Sequence, residues 1–304
     1  MSSLDEELPV VAVRSVRPGR WLAAAVAALF LAWLAYTIVV SPNLHWDIVV
    51  ANQFDHRILR GLWVTIALTV VSMTFGVLLG VLTAVMQLSS NVVLRAAASL
   101  YTWFFRGTPL LVQLIFWFNF ALVFPQIGIG LPFGGPKLIE WQTNALITPF
   151  VAGLLGLTIN EGAYMSEIVR AGINAVDPGQ REAAEALGMS HAQVLRRVVL
   201  PQAMRVIIPP TGNQFISMLK TTSMVSVIAG ADLLTVAQHI YLDNFEVIAL
   251  LIVASVWYLL LTTIASVGQH FVEKRFNRGH DGRTRLSHRI GRNLLPFPRR
   301  ERIA

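Results

Sequence analysis

The sequence predicts an all-α polytopic membrane protein with six spans, and three observations carry that expectation. Of its 304 residues, 55% are apolar and only 13% charged, with mean hydropathy +0.60, a balance that belongs to membrane chains rather than to two soluble domains. Apolar runs of ~20 residues or more recur along the chain, each long enough to cross ~30 Å of hydrocarbon. The 24 Lys and Arg outnumber 17 Asp and Glu and gather in particular connections, as basic residues do when they set topology.

Taken in order, residues 1–20 form a polar arm ending in Arg14, Arg17 and Arg20, and Trp21 to Val40 is a first span. A cleaved secretory core is shorter, ~7–15 residues, so this run is expected to be a retained anchor with its N-terminus inside. Residues 41–60 are an external connection with Trp46 at the interface, and Leu62 to Met86 crosses next without a charge. On that span Thr65, Thr69, Ser72, Gly76, Gly80 and Ala84 share one face, marking either close helix packing or the lining of a pathway. Ala96 to Phe124 crosses again with a break expected at Thr108–Pro109, and Arg106 is placed at the cytoplasmic interface. The Gly- and Pro-rich stretch 125–144 reads as an external loop. Ala145 to Arg170, Val206 to Gly230 and Val247 to Gly268 complete the six spans, with an external link holding Asp232, Asp243 and Glu246 before the last. Residues 274–304 form a basic tail suited to anionic headgroups. Without the tail, ten basic residues still fall inside, against Arg57, Arg60 and Lys137 outside, so both termini are expected in the cytoplasm.

Several function classes lose their basis. No cysteine is present, the seven histidines form neither HExxH nor an i,i+4 pair, and no phosphate-binding GxxxxGK[ST] loop occurs. Metal catalysis therefore has no support, and any ATP must be bound by another chain. An intramembrane hydrolase would need paired aspartates or a Ser–His couple within the spans. Nucleic-acid binding lacks any recognisable module, and topology already accounts for the positive charge.

Glu182 to Pro201 is the polar interruption around which the rest is arranged. Glu182, Glu185, Arg196 and Arg197 would each cost several kcal/mol in the bilayer core, so the stretch lies in water or against a partner. Ala183, Ala184, Ala186 and Leu187 favour helix, Gly188 permits a turn, Ser190 can cap a second helix and Pro201 is expected to stop it.

Ionisable residues inside spans are functional candidates. The fourth span carries Asn160, Glu161, Tyr164, Glu167 and Arg170, and the fifth Asn213, Gln214, Lys220, Thr221, Thr222 and Ser223. Glu161 and Tyr164 share a face, while Glu167 and Arg170 can pair with each other. Glu161 lies ~14 Å and Lys220 ~22 Å from the inner ends of their spans, a difference that tilt and a Pro209–Pro210 break could absorb. The two charges either meet the ends of a zwitterion during its passage or form a buried ion pair between helices.

The spacing of Glu182-Ala183-Ala184, Gly188 and Pro201 resembles the EAA signature of permease subunits of bacterial ATP-binding-cassette (ABC) importers. With FFRGTPLLVQ, GAYMSEIVRAGI, GQREAAEALG and VLPQAMRVIIPPTGNQFISMLKTTS, the resemblance covers roughly residues 58–273 and is to the polar amino acid branch, the histidine, glutamine, glutamate and arginine group. It implies a five-helix type I importer permease core, here with one extra N-terminal transmembrane helix at 21–40. It also implies a coupling loop at 171–204 whose Glu182, Ala183, Ala184, Gly188 and Pro201 face an ABC ATPase dimer. ATP and Mg would be bound by that ATPase, with no cofactor in this chain. The further partners implied are a second permease, identical or not, an extracytoplasmic amino-acid-binding protein and membrane lipid. Substrate would pass between the helices carrying Asn160, Glu161, Tyr164 and Glu167 and those carrying Lys220, Thr221, Thr222 and Ser223. The first helix and the basic tail depart from the family pattern. The expected function is inward movement of a polar amino acid by alternating access; the competing class is an ion- or proton-coupled secondary transporter using Glu161 as proton carrier.

Overall fold

The computed structural model describes residues 18–42, 44–130 and 137–277, in two units, Met1–Asp47 and Ile48–Ala304. The stretches 1–17, 131–136 and 278–304, which hold most of the polar arm, the Gly-rich loop tip and most of the basic tail, lie outside the described residues. In the first unit α1 (Pro18–Val39) is apolar on every side, and none of its described side chains is buried, as befits a helix solvated by lipid. Trp46 donates its indole N–H to the Val39 carbonyl at 2.9 Å, satisfying part of the helix end at the expected interface.

A short helix, α2 (Trp46–Gln53), contains the boundary between the units, and in the second unit α3 (His56–Gln87) is capped by Asp55, which accepts from Arg57 N. The Arg57 guanidinium hydrogen-bonds the Asp55 carboxylate and holds its pKa below the ordinary value. The small-residue stripe of α3 is buried, and it packs on α7 (Pro149–Asn174) in the most extensive helix contact of the molecule. A Cβ added at Gly80 would lie 2.5 Å from Met165 Cβ, and one at Gly76 2.9 Å from Glu161 Cβ. The stripe therefore serves close packing, because lipid gives helices no hydrophobic drive to associate and intimate contact must supply it.

The third span is broken where expected. The first part, α4 (Val92–Gly107), ends at Thr108, which is extended at φ −107°, and α5 (Leu110–Phe118) starts beyond Pro109. The expected loop at 125–144 instead contains a hairpin of β1 (Gln126–Gly130) and β2 (Lys137–Gln142), with Ile127 opposite Trp141 and an irregularity at Ile129/Gly130. The alternation of Ile127 and Ile129 with glycines was hidden by the turn-forming composition around it. A turn of helix, α6 (Thr143–Leu146), precedes α7, which Thr148 caps and Pro149 opens.

Beyond α7 come α8 (Pro178–Ala186), α9 (His191–Val194), a π-helical turn (Leu195–Val199) and α10 (Leu200–Thr221). Pro201 does not stop a helix. It lies in the first turn of α10, directly after the π-helical turn, and the backbone stays helical on both sides of it. Pro209 and Pro210 do not break α10 either; the side chain of Gln269 donates to the Pro209 carbonyl at 3.1 Å. A 3-10 segment (Thr222–Ile228) follows, and the expected external link then forms α11 (Leu233–Asn244), capped by the fully buried Asp232. The last helix is α12 (Val247–Asn277).

Among the described residues three helices are long and apolar enough to cross a membrane: Trp21–Val39, His56–Gln87 and Val247–Phe276. The pair His191–Ile228 and Leu233–Asn244, bent by 47°, adds a fourth if it counts as one span. The remaining expected crossings fall on the broken pair α4 and α5, at 16 and 9 residues, and on α7, whose polar side chains lower its hydropathy.

Candidate functional site

Two features define the site: an exposed elbow between α8 and α9, and the polar stretches of α7 and α10. The elbow is built by end-capping. Asp177 accepts from Gly179 N at 2.7 Å to start α8, and the helix ends in a Schellman turn in which Gly188 N donates to Glu185 O and Met189 N to Ala184 O. That turn places Gly188 at φ +79°, the left-handed conformation that favours glycine. Gln193 accepts from Ser190 N at 2.9 Å and opens α9.

The elbow's outer side consists of the exposed Glu182, Ala183, Glu185, Ala186, Leu187 and Gly188, with Leu187 83% exposed. An isolated leucine held out so far has no packing role within this chain. Its inner side is the opposite: Ala184, Val194 and Val199 are buried in one apolar cluster with Val169 and Ile173 of α7 and Ala203 and Ile207 of α10. Arg181 adds a hydrogen bond of 2.8 Å to the Ile173 carbonyl. The elbow is therefore rooted in the two helices that carry the intramembrane polar residues.

Of those residues, Glu167 and Arg170 pair at 2.5 Å, as expected from their spacing. Arg106 is 3.9 Å from the same Glu167 carboxylate and lies over the Tyr164 ring at 5.5 Å. Tyr164, Glu167, Arg170 and Arg106 thus form one partly exposed cluster. Arg106 belongs to it because the break at Thr108 ends α4 there, a juxtaposition that local sequence does not reveal.

Asn160 is occupied elsewhere, donating to Phe105 O at 2.9 Å and to Gln113 Oε1 at 3.3 Å, while Gln113 donates to the Thr108 carbonyl and hydroxyl. These two amides satisfy the polar groups that the Pro109 break leaves without helical partners. Glu161 is buried at 5% exposure against Gly76, with Gln214 approaching its carboxyl and Oε1 left without a hydrogen-bond partner. No ion pair joins it to Lys220 among the described residues, and Lys220 is exposed, so the alternative of a helix-linking ion pair is not formed. Thr221, Thr222 and Ser223 bond carbonyls of their own helix, at Ser217, Leu219 and Lys220. No group of three or more His, Cys, Asp or Glu able to hold a metal occurs among the described residues.

The chain is thus a helical protein with several apolar helices long enough to span a membrane and an exposed elbow anchored to its polar helices. Residues 76–278 match the family described as binding-protein-dependent transport system inner membrane component, and the chain belongs to it. It is 44% identical to an arginine transport system permease protein of Corynebacterium glutamicum, over 91% of this chain and 86% of that one. It is 38% identical to an L-cystine transport system permease protein of Bacillus subtilis, over 79% and 95%. Among solved structures it resembles an amino acid ABC transporter, with TM-score 0.64 and 38% identity over 75% of this chain and 98% of that one. The five-helix type I importer core follows from these matches. Such a chain is a multi-pass inner-membrane permease component, not an enzyme. Its family implies an ATPase subunit and a substrate-binding protein as partners.

Proposed function

We propose that this chain imports a polar amino acid by alternating access, driven by an ABC ATPase dimer that grips the elbow from the cytosol and binds ATP and Mg. The observation that carries this is the two-sided elbow: Ala184, Val194 and Val199 root it in α7 and α10, while Leu187 projects away from the chain. A push on the outer side would be transmitted through close-packed side chains to the helices that line the path. Both termini are inside, the permease domain spans 58–273 with its coupling loop at 171–204, and 21–40 is an added sixth crossing. Glu182, Ala183, Ala184 and Gly188 form the handle, with Pro201 starting the helix behind it.

Amino acid permeases among the relatives, for arginine and for cystine, support a polar amino acid as cargo. A zwitterion sheds hydration on entering the bilayer and needs partners for both charges. Arg106 and Lys220 supply positive groups for its carboxylate, and Glu161 and Glu167 negative groups for its ammonium. Tyr164 would add an aromatic face, and Thr221 and Ser223 half-exposed hydroxyls, whereas Thr222 is fully buried with its hydroxyl on the Leu219 carbonyl and takes no part; Asn160 holds the Pro109 break that presents Arg106. A second permease, identical or not, completes the path, and an extracytoplasmic binding protein delivers the cargo.

Uptake of labelled amino acids into vesicles containing the chain, its ATPase and its binding protein, with no ion gradient, tests the reading. ATP-dependent accumulation is expected, and Glu161→Gln and Lys220→Met should change uptake of charged amino acids while expression holds. Accumulation that follows a proton or sodium gradient and ignores ATP would establish the secondary-transporter class instead.

A further inference from the structure

The hairpin of β1 and β2 precedes α7 at the end opposite the elbow, and its two faces differ. In the observed register Ile127 lies opposite Trp141 and Ile129 opposite Ile139, so these four positions share one face; Gln126 opposite Gln142 and Gly128 opposite Glu140 make up the other. On the apolar face Ile139 is 50% and Trp141 43% exposed. Beyond each other, the strands pack appreciably only on α6, the single turn that follows them. An isolated two-stranded hairpin is marginal in water, so an apolar face of this kind calls for a cover from outside the chain.

The level at which the hairpin starts identifies that cover. Gly76 meets Glu161 and Gly80 meets Met165, so α3 and α7 run side by side, in the same direction and in step. Carried away from the elbow at ~1.5 Å per residue, this pairing sets Pro149 roughly level with Val64. That is about one turn inside Arg60, the last charge before the uncharged stretch of α3, and so close to the edge of the hydrocarbon. Only α6, Ile147 and Thr148 separate β2 from Pro149. Thr143 ties both strand ends to this level: its N–H donates to the Pro125 carbonyl at 3.0 Å and its hydroxyl to the Phe124 carbonyl. Phe124 ends a run of touching rings from Trp117 through Phe120, with centroids 5.5 and 4.9 Å apart, and Leu122, Val123 and Phe124 are exposed. Aromatic side chains of this kind mark the band where hydrocarbon meets headgroups, and the hairpin's apolar face, with Trp141 at its foot, continues the same surface. We propose that this face seats in the headgroup and acyl boundary of the leaflet away from the elbow, with Gln126, Glu140 and Gln142 turned to water. A lipid surface fits better than a protein groove because the face begins within the band that lipid already covers at Leu122 to Phe124. The hairpin would then hold one end of α7 at the interface while the elbow is rooted at the other. Calling that leaflet the outer one rests on the proposed orientation of the elbow, whereas the seating does not.

With no cysteine in the sequence, single-cysteine variants of the full chain can each carry one nitroxide. Ile139→Cys and Gln142→Cys, in nanodiscs of phosphatidylcholine and phosphatidylglycerol, are compared by their collisions with oxygen, which concentrates in hydrocarbon, and with a water-soluble nickel chelate. The oxygen-to-nickel ratio at 139 should exceed that at 142 at least fivefold, although 142 lies nearer the foot of the hairpin. Ile127→Cys, on the same face of the other strand, should follow 139, and it decides if Ile139→Cys does not elute as a monodisperse protein. Similar ratios at 139 and 142, both open to nickel, would put the hairpin in water and overturn the proposal. So would exclusion of both reagents from 139 in the chain alone, which would make the face an interface between two copies. Nickel access at 139 that is lost only when the substrate-binding protein is added would make it a docking surface for that protein, and also overturns the proposal. The collision ratios do not involve ATP-driven uptake, so failure of the transport reading and failure of this one are distinguishable.

Discussion

Substitutions at Gly188 separate the mechanics of the elbow from its surface. The residue sits at φ +79°, and a Cβ placed there meets nothing within 4 Å, so a side chain costs only backbone strain and whatever it presents to a partner. For alanine the left-handed conformation costs ~1–2 kcal/mol, whereas Asn and Asp visit it readily. At ~2–4 °C per kcal/mol for a domain of this size, Gly188→Ala should lower the thermal midpoint of the purified chain by ~2–8 °C, and Gly188→Asn by less. Gly188→Asp should keep the turn and membrane insertion but put a carboxylate on the exposed ridge beside Glu182 and Glu185, abolishing uptake and stimulation of ATP hydrolysis. The assays are differential scanning fluorimetry in detergent and both activities in proteoliposomes. Unchanged uptake in Gly188→Asp would remove the handle role, and an alanine variant as stable as wild type would contradict the Schellman turn.

Two further substitutions probe the frame that holds the site. Gly80→Ala drives a methyl to 2.5 Å from Met165 Cβ and 3.0 Å from Ser166 N, so overpacking should cost ~1–3 kcal/mol; Gly107→Ala, with open space around it, should stay within ~0.5 kcal/mol. Equal thermal midpoints for the two variants would contradict the tight α3–α7 contact. Asp232→Ala removes an acceptor for Leu234 N, Thr235 N and the Thr235 hydroxyl at a fully buried cap, an expected loss of ~1–3 kcal/mol read as faster amide exchange in α11. Unaltered exchange there would show that Asp232 does not hold the helix start.

Features governed by neighbouring residues were legible in the sequence. The Pro109 break, the Gly188 turn, the Ser190 cap and the Glu167–Arg170 pair each depend on residues within four positions, where steric and capping rules act directly. The burial of the Gly76 and Gly80 face could also be anticipated as packing. Features that depend on distant partners were not. Arg106 meets Tyr164 and Glu167, and Asn160 finds Phe105, across more than fifty residues of chain. The prolines misled for a related reason: a proline suits the first turn of a helix as well as a stop, and α10 continues through Pro209 and Pro210 with Gln269 of α12 packed against that turn and donating to the Pro209 carbonyl. The segment read as an external link became α11 because Asp232 supplies a cap whose burial comes from α3 and α12, elements far away in sequence.

The chain has no cysteine, so Leu187→Cys gives a single thiol at an exposed position of the elbow. A membrane-impermeant maleimide should label it in inside-out vesicles and not in intact cells, and a short bifunctional reagent should link it to the ATPase subunit in the assembled transporter. Labelling from outside intact cells, or full ATP-driven uptake after the thiol carries a bulky adduct, would contradict a motor gripping this chain at its elbow.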